Sequence, residues 1–235
     1  MAIWQRVTRH RGSGRGALSY AQIATAGVEI ADAEGLDAVS MRKVAARVGA
    51  GTMSLYRYLD SRDDLIDLMA DEVCAEVVVP TRSGDWRRDL AEIARLSRQA
   101  ALRHPWMAAY STSAGGFGPN MLAVGESVLR LLHGHGLEPV RAFDIWATVQ
   151  SFVQGYALEE SSHLESERRT GLAAGELRDR RAPFLSSPTI AASYPLLTSL
   201  LLSKAGKEGR DAVFERRLGY LLDGLARLFD PAAGE

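Results

Sequence analysis

Apolar residues along this chain recur every three or four positions, and a strict two-residue alternation is absent, so the pattern predicts helices and no strands. Ala21, Ile23, Ala24, Val28, Ile30 and Ala31 form the buried stripe of a helix over 18–34, which Gly35 closes at the position that favours a left-handed residue. Ser40 is placed to cap a second helix, MRKVAARV, with Val44, Ala45 and Val48 facing in and Arg42, Lys43 and Arg47 facing out. Gly49-Ala50-Gly51 breaks that helix, and Thr52 can cap a short third helix ending near Leu59. Ser61 opens a fourth helix over 61–78, with acids in its first turn as the helix dipole favours. Pro80 and TRSGD read as a linker. Further helices are expected over 85–103, 119–133, 138–162 (opened by Pro139) and about 210–229. The polar, Arg-rich stretch 163–187 reads as a partly ordered connection.

The two short helices 40–48 and 52–59, joined by a tight glycine-bearing turn, have the spacing of a helix-turn-helix. Leu55 and Leu59 are one turn apart and suit packing against Val44, Ala45 and Val48. That leaves Thr52, Ser54, Arg57 and Tyr58 outward, with Tyr56 at the edge of the face. Hydroxyls, an arginine and tyrosines suit phosphate oxygens and base edges. The bland alternative is a small amphipathic helix with a solvated face and two tyrosines at a seam.

Charge sharpens this picture. The whole chain carries a formal net charge of −1, but residues 1–62 hold nine Lys or Arg against five acids, a local balance of +4. The opening MAIWQRVTRHRGSGRG has no apolar run of a secretory signal, and residues 1–16 are expected to form a flexible basic arm. The single cysteine, Cys74, rules out an intrachain disulfide and fits a reducing cytoplasm. No apolar run reaches the length of a membrane span.

The stretch AQIATAGVEIADAEGLDAVSMRKVAARVGAGTMSLYRYLDSRDDLIDLMADEV resembles the DNA-binding region of the TetR family of bacterial transcriptional repressors. The likeness runs without a gap through GLDAVSMRKVAARVG and TMSLYRYLDSRDDLI. DWRRDLAEIARLSRQAALRHPW, FVQGYALEE and the closing amphipathic helix are similar to the branch of that family that includes the tetracycline repressor. The resemblance implies an all-α protein: a helix-turn-helix DNA-binding domain at 17–62, a connecting helix at 63–80, and a larger ligand-binding and dimerisation domain at 85–230. It implies phosphate contacts from Ser40, Arg42, Tyr56 and Arg62, and a groove face of Thr52, Met53, Ser54, Arg57 and Tyr58. Arg6, Arg9, Arg11 and Arg15 of the arm would lie along the DNA backbone or in the minor groove. The implied function is a repressor that binds a palindromic operator as a homodimer and is released by a small effector.

Two heptad-like stripes are candidates for the dimer seam: Phe214, Leu218, Leu221, Leu225 and Leu228 at 210–229, and Ile145, Val149, Phe152 and Tyr156 at 138–162. Both stripes could equally face the subunit's own core. Trp106, Met107, Phe117, Met121 and Trp146 could enclose an apolar cavity, or be plain core; Ser97, Gln150 and Gln154 could orient a ligand there. Ile93 and Ser97 fall where the tetracycline repressor contacts its ligand. Thr112 or a neighbour stands in place of that family's magnesium-holding histidine, although Glu159 matches a nearby carboxylate, so the expected effector is another small, largely apolar molecule. No metal or other cofactor is expected: His133-Gly-His135 reads as a helix end with surface histidines. G-x-S-x-G, P-loop, H-E-x-x-H and strand-borne G-x-G-x-x-G patterns are absent, so an enzyme is the weaker alternative, beside a helical module that binds an acidic partner.

Overall fold

A computed structural model describes residues 3–9, 18–110, 117–203 and 208–229. These residues are helical and contain no strand. The chain forms two compact units, one running to Gln154 and taking in Leu228 and Phe229, the other Gly155–Arg227.

The first unit begins with α1 (Ile3–Arg9). This segment differs from the free arm expected of it. Ile3 is buried in the core, Trp4 and Val7 pack beside it, and Arg6 binds Asp60 at 2.5 Å and Asp64 at 2.7 Å. Three apolar side chains on one face are enough to seat so short a helix, and the two acids neutralise its arginine. Arg11, Arg15 and the side chain of Arg9 lie outside the described residues.

Next come α2 (Tyr20–Glu34), α3 (Met41–Arg47), α4 (Thr52–Leu55) and α5 (Arg62–Cys74). The caps follow the sequence. Ser19 and Gln22 form a capping box on α2, Ser40 Oγ accepts from Lys43 N on α3, and Ser61 Oγ accepts from Asp64 N on α5. Gly35 closes α2 at φ +86 with its N–H on Ala31 O. At α4 the capping residue is Gly51 rather than Thr52, which is the first helical residue. Ile23, Val39, Val44, Leu55, Leu59, Leu65 and Met69 make one core beneath all these helices. Gly27 lets α2 and α5 cross closely, because a Cβ there would meet Met69 Sδ at 2.6 Å.

α5 is joined to the body by a buried carboxylate. Asp71 accepts the N–H groups of Asn120 (3.2 Å) and Met121 (2.9 Å), which caps α7 (Pro119–His133) from outside that helix. Burial pushes its pKa up, and those two donors partly offset the shift. Cys74, at the end of α5, has its thiol pushed up to about 12, by burial first and by Asp71 second. Folded protein is therefore expected to resist thiol titration with Ellman's reagent near neutral pH, because little thiolate is present, and to react once denatured. Rapid labelling of the folded chain would contradict this burial.

α6 (Trp86–Arg103) is capped by Asp85, and Trp86 stacks on Phe229 with ring centroids 4.0 Å apart. Asp89 is buried, accepts Ser83 N and sits 2.9 Å from His135 Nε2; Arg82 donates to Gly134 O. His133 Nδ1 lies 2.9 Å from Leu137 O. Both histidines of the His-Gly-His pattern thus fix the turn into α8 (Pro139–Thr170).

α8 runs eight residues beyond its expected end. In the second unit its C-terminal part meets α12 (Arg210–Leu225): Tyr156 OH donates to Arg210 O, and Tyr156 packs edge-on to Phe214. Glu159 is 3.2 Å from Arg217 and Glu167 is 2.8 Å from Arg210. The stretch expected to be a partly ordered connection forms the end of α8 and α9 (Ala174–Leu185); α10 (Pro188–Ser193) and α11 (Pro195–Leu202) follow and pack with α9.

The two heptad stripes resolve toward the chain's own core. Phe214, Leu218 and Leu225 are buried, as are Ile145, Val149 and Tyr156; Phe152 and Leu221 are half-buried. Among the stripe residues only Leu228 is exposed. Most of these positions are thus covered within one copy.

Candidate nucleic-acid interface and effector site

The recognition element is α4 followed by a tight turn, not a helix to Leu59. Tyr58 N bonds to Leu55 O at 2.8 Å and Arg57 N to Ser54 O at 3.3 Å, the three-residue closure that tightens helix ends. Gly49 takes φ +68 in the turn from α3, a conformation that side chains with a Cβ rarely adopt. Leu55 and Leu59 are both 0% exposed, and they fix the opposite face outward. Met53 is 78% exposed, Tyr56 47%, and Arg57 is exposed as well. Thr52 and Ser54 are half-buried at the rim. Tyr58 is half-buried too, in edge contact with Tyr20 at 5.3 Å, so its ring braces α2 more than it faces outward.

Three of the head's cations, Arg6, Lys43 and Arg47, are paired with its own acids. Lys43 pairs with Glu34 at 2.7 Å and Arg47 with Glu29 at 2.7 Å. Arg62 is spent on backbone: its Nε donates to Val39 O and its NH2 group to Leu36 O. The guanidinium thereby locks the start of α5 to the turn after α2 while the side chain stays exposed, and its expected phosphate contact remains a proposal. Arg42 and Arg57 are exposed and have no carboxylate within ion-pair distance among the described residues. Ser40, at the start of α3 beside Arg42, keeps its hydroxyl hydrogen available while its oxygen caps the helix. Ser40, Arg42, Met53, Tyr56 and Arg57 thus frame a polar surface with two uncommitted positive charges.

The expected effector residues divide into separate groups. Gln150 Nε2 donates to Ser97 Oγ at 3.2 Å, tying α8 to α6, and Ile93 lies one turn before Ser97 and is fully buried. Trp146 lies one turn before Gln150, with its ring against Gly125 of α7 and edge-on to Phe143. Its indole Nε1 is buried with no hydrogen-bond partner among the described residues. Met121 is half-buried on α7. Trp106 and Met107 belong elsewhere: both pack on the core of the head, and Trp106 Nε1 donates to Asp32 at 2.8 Å. Their place in the short turn Pro105–Ala109, directly after α6, carries them there. Phe117 is 64% exposed and lines no core. Thr112 lies outside the described residues. Glu159 pairs with Arg217, and no cluster of metal-ligating side chains occurs among the described residues. Sequence reading missed Asp32 and Asp71 as tertiary partners; neither has a local signal, because their partners lie about 50 to 70 residues away.

Comparison with known proteins follows this geometry. Residues 23–69 match the family described as bacterial regulatory proteins, tetR family, and residues 80–229 match the tetracyclin repressor-like C-terminal domain. The chain is 34% identical to the HTH-type transcriptional repressor DrrR1 of Streptomyces coeruleorubidus, covering 99% of this chain and 86% of that protein. It is 32% identical to an HTH-type transcriptional regulator of Saccharopolyspora erythraea, covering 96% and 91%. The crystal structure of the TetR family protein ActR of Streptomyces coelicolor in complex with actinorhodin superposes with a TM-score of 0.74 at 34% identity, over 94% of this chain and 100% of that one. With the helix-turn-helix and the helical body each matched, the chain belongs to the TetR family and is a ligand-responsive transcriptional regulator, not an enzyme.

Proposed function

We propose that this chain is a cytoplasmic repressor that binds a two-fold symmetric DNA operator as a homodimer and releases it when a small organic effector binds the helical body. The observation that carries the DNA half is the pair Arg42 and Arg57, exposed and unneutralised beside a recognition turn whose leucines fix its outward face. One such head spans half a site, and helix-turn-helix proteins set two heads about 34–36 Å apart on successive major grooves. In the second unit, Gly155, Leu158 and Ser162 of α8 and Tyr220 and Gly224 of α12 are exposed on faces opposite the buried stripes. Small residues beside Leu158 and Tyr220 suit close packing of the same helices from a second copy. That face replaces the Phe214 and Ile145 stripes as our choice for the seam.

For the effector, support comes from Ile93, Ser97, Met121, Trp146 and Gln150: Gln150 Nε2 reaches Ser97 Oγ one turn from buried Ile93, Met121 is half-buried on α7, and the Trp146 indole N–H, one turn before Gln150, is buried and unpartnered among the described residues. A buried donor left unpaired costs about 1–3 kcal/mol, which an acceptor on a ligand would recover. The actinorhodin bound by ActR supports a small organic molecule as the class.

Selection of bound sequences from a random duplex pool tests the reading. A two-fold symmetric consensus is the expected result, and absence of any sequence-selective duplex binding would overturn it. On the selected operator, Arg57→Ala is expected to weaken binding by about 1–3 kcal/mol if the side chain reads guanine. Arg42→Ala is expected to weaken selected and unselected duplexes alike and to flatten the salt dependence. Lys43→Ala, whose charge Glu34 already neutralises, should change little. Equal losses at Lys43 and Arg57 in a mobility-shift series would contradict this assignment.

A further inference from the structure

The first helix of the chain belongs neither to the DNA face nor to the effector site, yet it is built onto the turn that follows the recognition element. Ile3 of α1 is buried in the core of the head, with Trp4 and Val7 packed against that core. Trp4 also lies against Gly118, where an added Cβ would stand 2.7 Å from its Cη2. Arg6, on the same helix, spans two carboxylates: one guanidinium nitrogen donates to Asp60 Oδ1 at 2.5 Å and the other to Asp64 Oδ2 at 2.7 Å. Asp64 Oδ2 also accepts the backbone N–H of Asp60 at 2.8 Å. The cluster reaches the back of the recognition turn. Burial pushes the Tyr20 phenol up, Arg6 opposes that shift, and Tyr58, Asp64 and Asp60 add to it, so these five groups share one neighbourhood.

The placement matters because of charge. Asp60 follows Leu59 directly, stands three residues after Arg57, and has 66% of its side chain exposed. Asp60, Asp63 and Asp64 bring three anions to the edge of a surface that is to meet phosphates. Repulsion between an exposed carboxylate and DNA acts over about 10 Å at 0.1 M salt, so anions at this place oppose docking. Arg6 answers two of the three. Its planar fork also fixes the spacing of the two carboxylates, and with it the path of the chain from Leu59 into α5.

Resting on the reading that the chain binds an operator, we infer that Arg6 is a positioning residue of the DNA-binding head: seated by α1, it neutralises Asp60 and Asp64, holds the turn that follows the recognition element, and makes no DNA contact of its own. An arm laid on the duplex would use the same arginine in the opposite way, spending its charge on phosphate and leaving the two acids bare. In the seated helix the charge is spent before DNA arrives, and its benefit to binding passes through Asp60 and Asp64.

The test uses the full-length chain and the selected operator. Dissociation constants are measured by fluorescence anisotropy at about 0.1 M salt for wild type, Arg6→Gln, Asp60→Asn and the double variant. Arg6→Gln is expected to weaken binding by about fivefold or more, and Asp60→Asn to bind as well as wild type or slightly better. In the Asp60→Asn background, Arg6→Gln should cost only about twofold or less, because the anion it answered is gone. An arginine that touched phosphate would lose the same factor in both backgrounds. A purely structural role would leave the double variant as weak as Arg6→Gln. Hydrogen exchange read by mass spectrometry on wild-type protein decides the seat of α1 whether or not the variants fold. A peptide covering residues 3–9 should exchange more slowly than in the denatured chain, and at the same rate with and without operator. Equal losses in both backgrounds, no loss on Arg6→Gln, a double variant as weak as Arg6→Gln, unprotected α1 in the free protein, or protection gained only with operator would each overturn the inference. Any of these beside selective binding by wild type removes this inference alone; absence of selective binding by wild type removes the regulator reading itself.

Discussion

Leu55→Ala is expected to destabilise the chain by about 2–5 kcal/mol, the range for truncating a fully buried leucine in a packed core. Leu55 and Leu59 are the anchors of an element with one helical turn of its own. An isolated turn of that length has no stability in water, so its shape comes from what it is packed on. Removing the Leu55 side chain leaves a cavity in the core that also holds Val39, Val44 and Leu65. The urea midpoint should fall with little change in slope, and the thermal midpoint should drop by on the order of 10 °C. Operator binding should suffer beyond the stability loss, because the recognition turn is the part left unsupported. Leu55→Met, which nearly conserves volume, should cost less than about 1.5 kcal/mol. A loss under about 1 kcal/mol for Leu55→Ala would mean that something other than this leucine holds the reading face.

Gly118→Ala carries the second large effect. A Cβ at this residue would stand 2.2 Å from Asp71 Oδ1, 2.3 Å from Asp71 Cγ and 2.7 Å from Trp4 Cη2. Asp71 cannot swing aside without giving up the N–H groups of Asn120 and Met121. Overpacking together with a disrupted cap is expected to cost about 2–4 kcal/mol. Asp71→Ala alone should also destabilise, but the double variant should be far less destabilised than the sum, because the clash and the cap involve the same carboxylate. Gly175→Ala in α9 has open space around the added methyl and should be neutral or slightly stabilising. Additive losses at Gly118 and Asp71 in a double-mutant cycle would show that the two do not meet.

Much of the head was legible because its signals are local. Ser40, Ser61 and Gly35 announce helix ends within a few residues, and the Leu55–Leu59 spacing fixes which face turns inward. Arg42 and Arg57 follow from that facing. Arg62 and Tyr58 did not, because a backbone carbonyl 23 residues away claims the first and Tyr20 claims the second. The first helix was read as an arm because its arginines outweigh three apolar residues in composition, whereas Asp60 and Asp64 cancel one of those charges in space. Periodicity also left the stripes on α8 and α12 ambiguous: a heptad records that a face is covered, not whether the cover is the same chain. Trp106 was misplaced for a related reason. It follows a helix of the body, yet the turn after α6 hands the ring to the head.

The recognition turn divides its labour by position. Leu55 and Leu59 are consumed by folding, while Met53, Tyr56 and Arg57 stand in water and touch little of the core. Substitutions at those three sites are expected to change DNA binding at almost no cost to the scaffold. A library randomised at only these codons would keep nearly every member folded, so new operator preferences could be screened without rescuing stability, and drift in the target sequence could be followed one codon at a time.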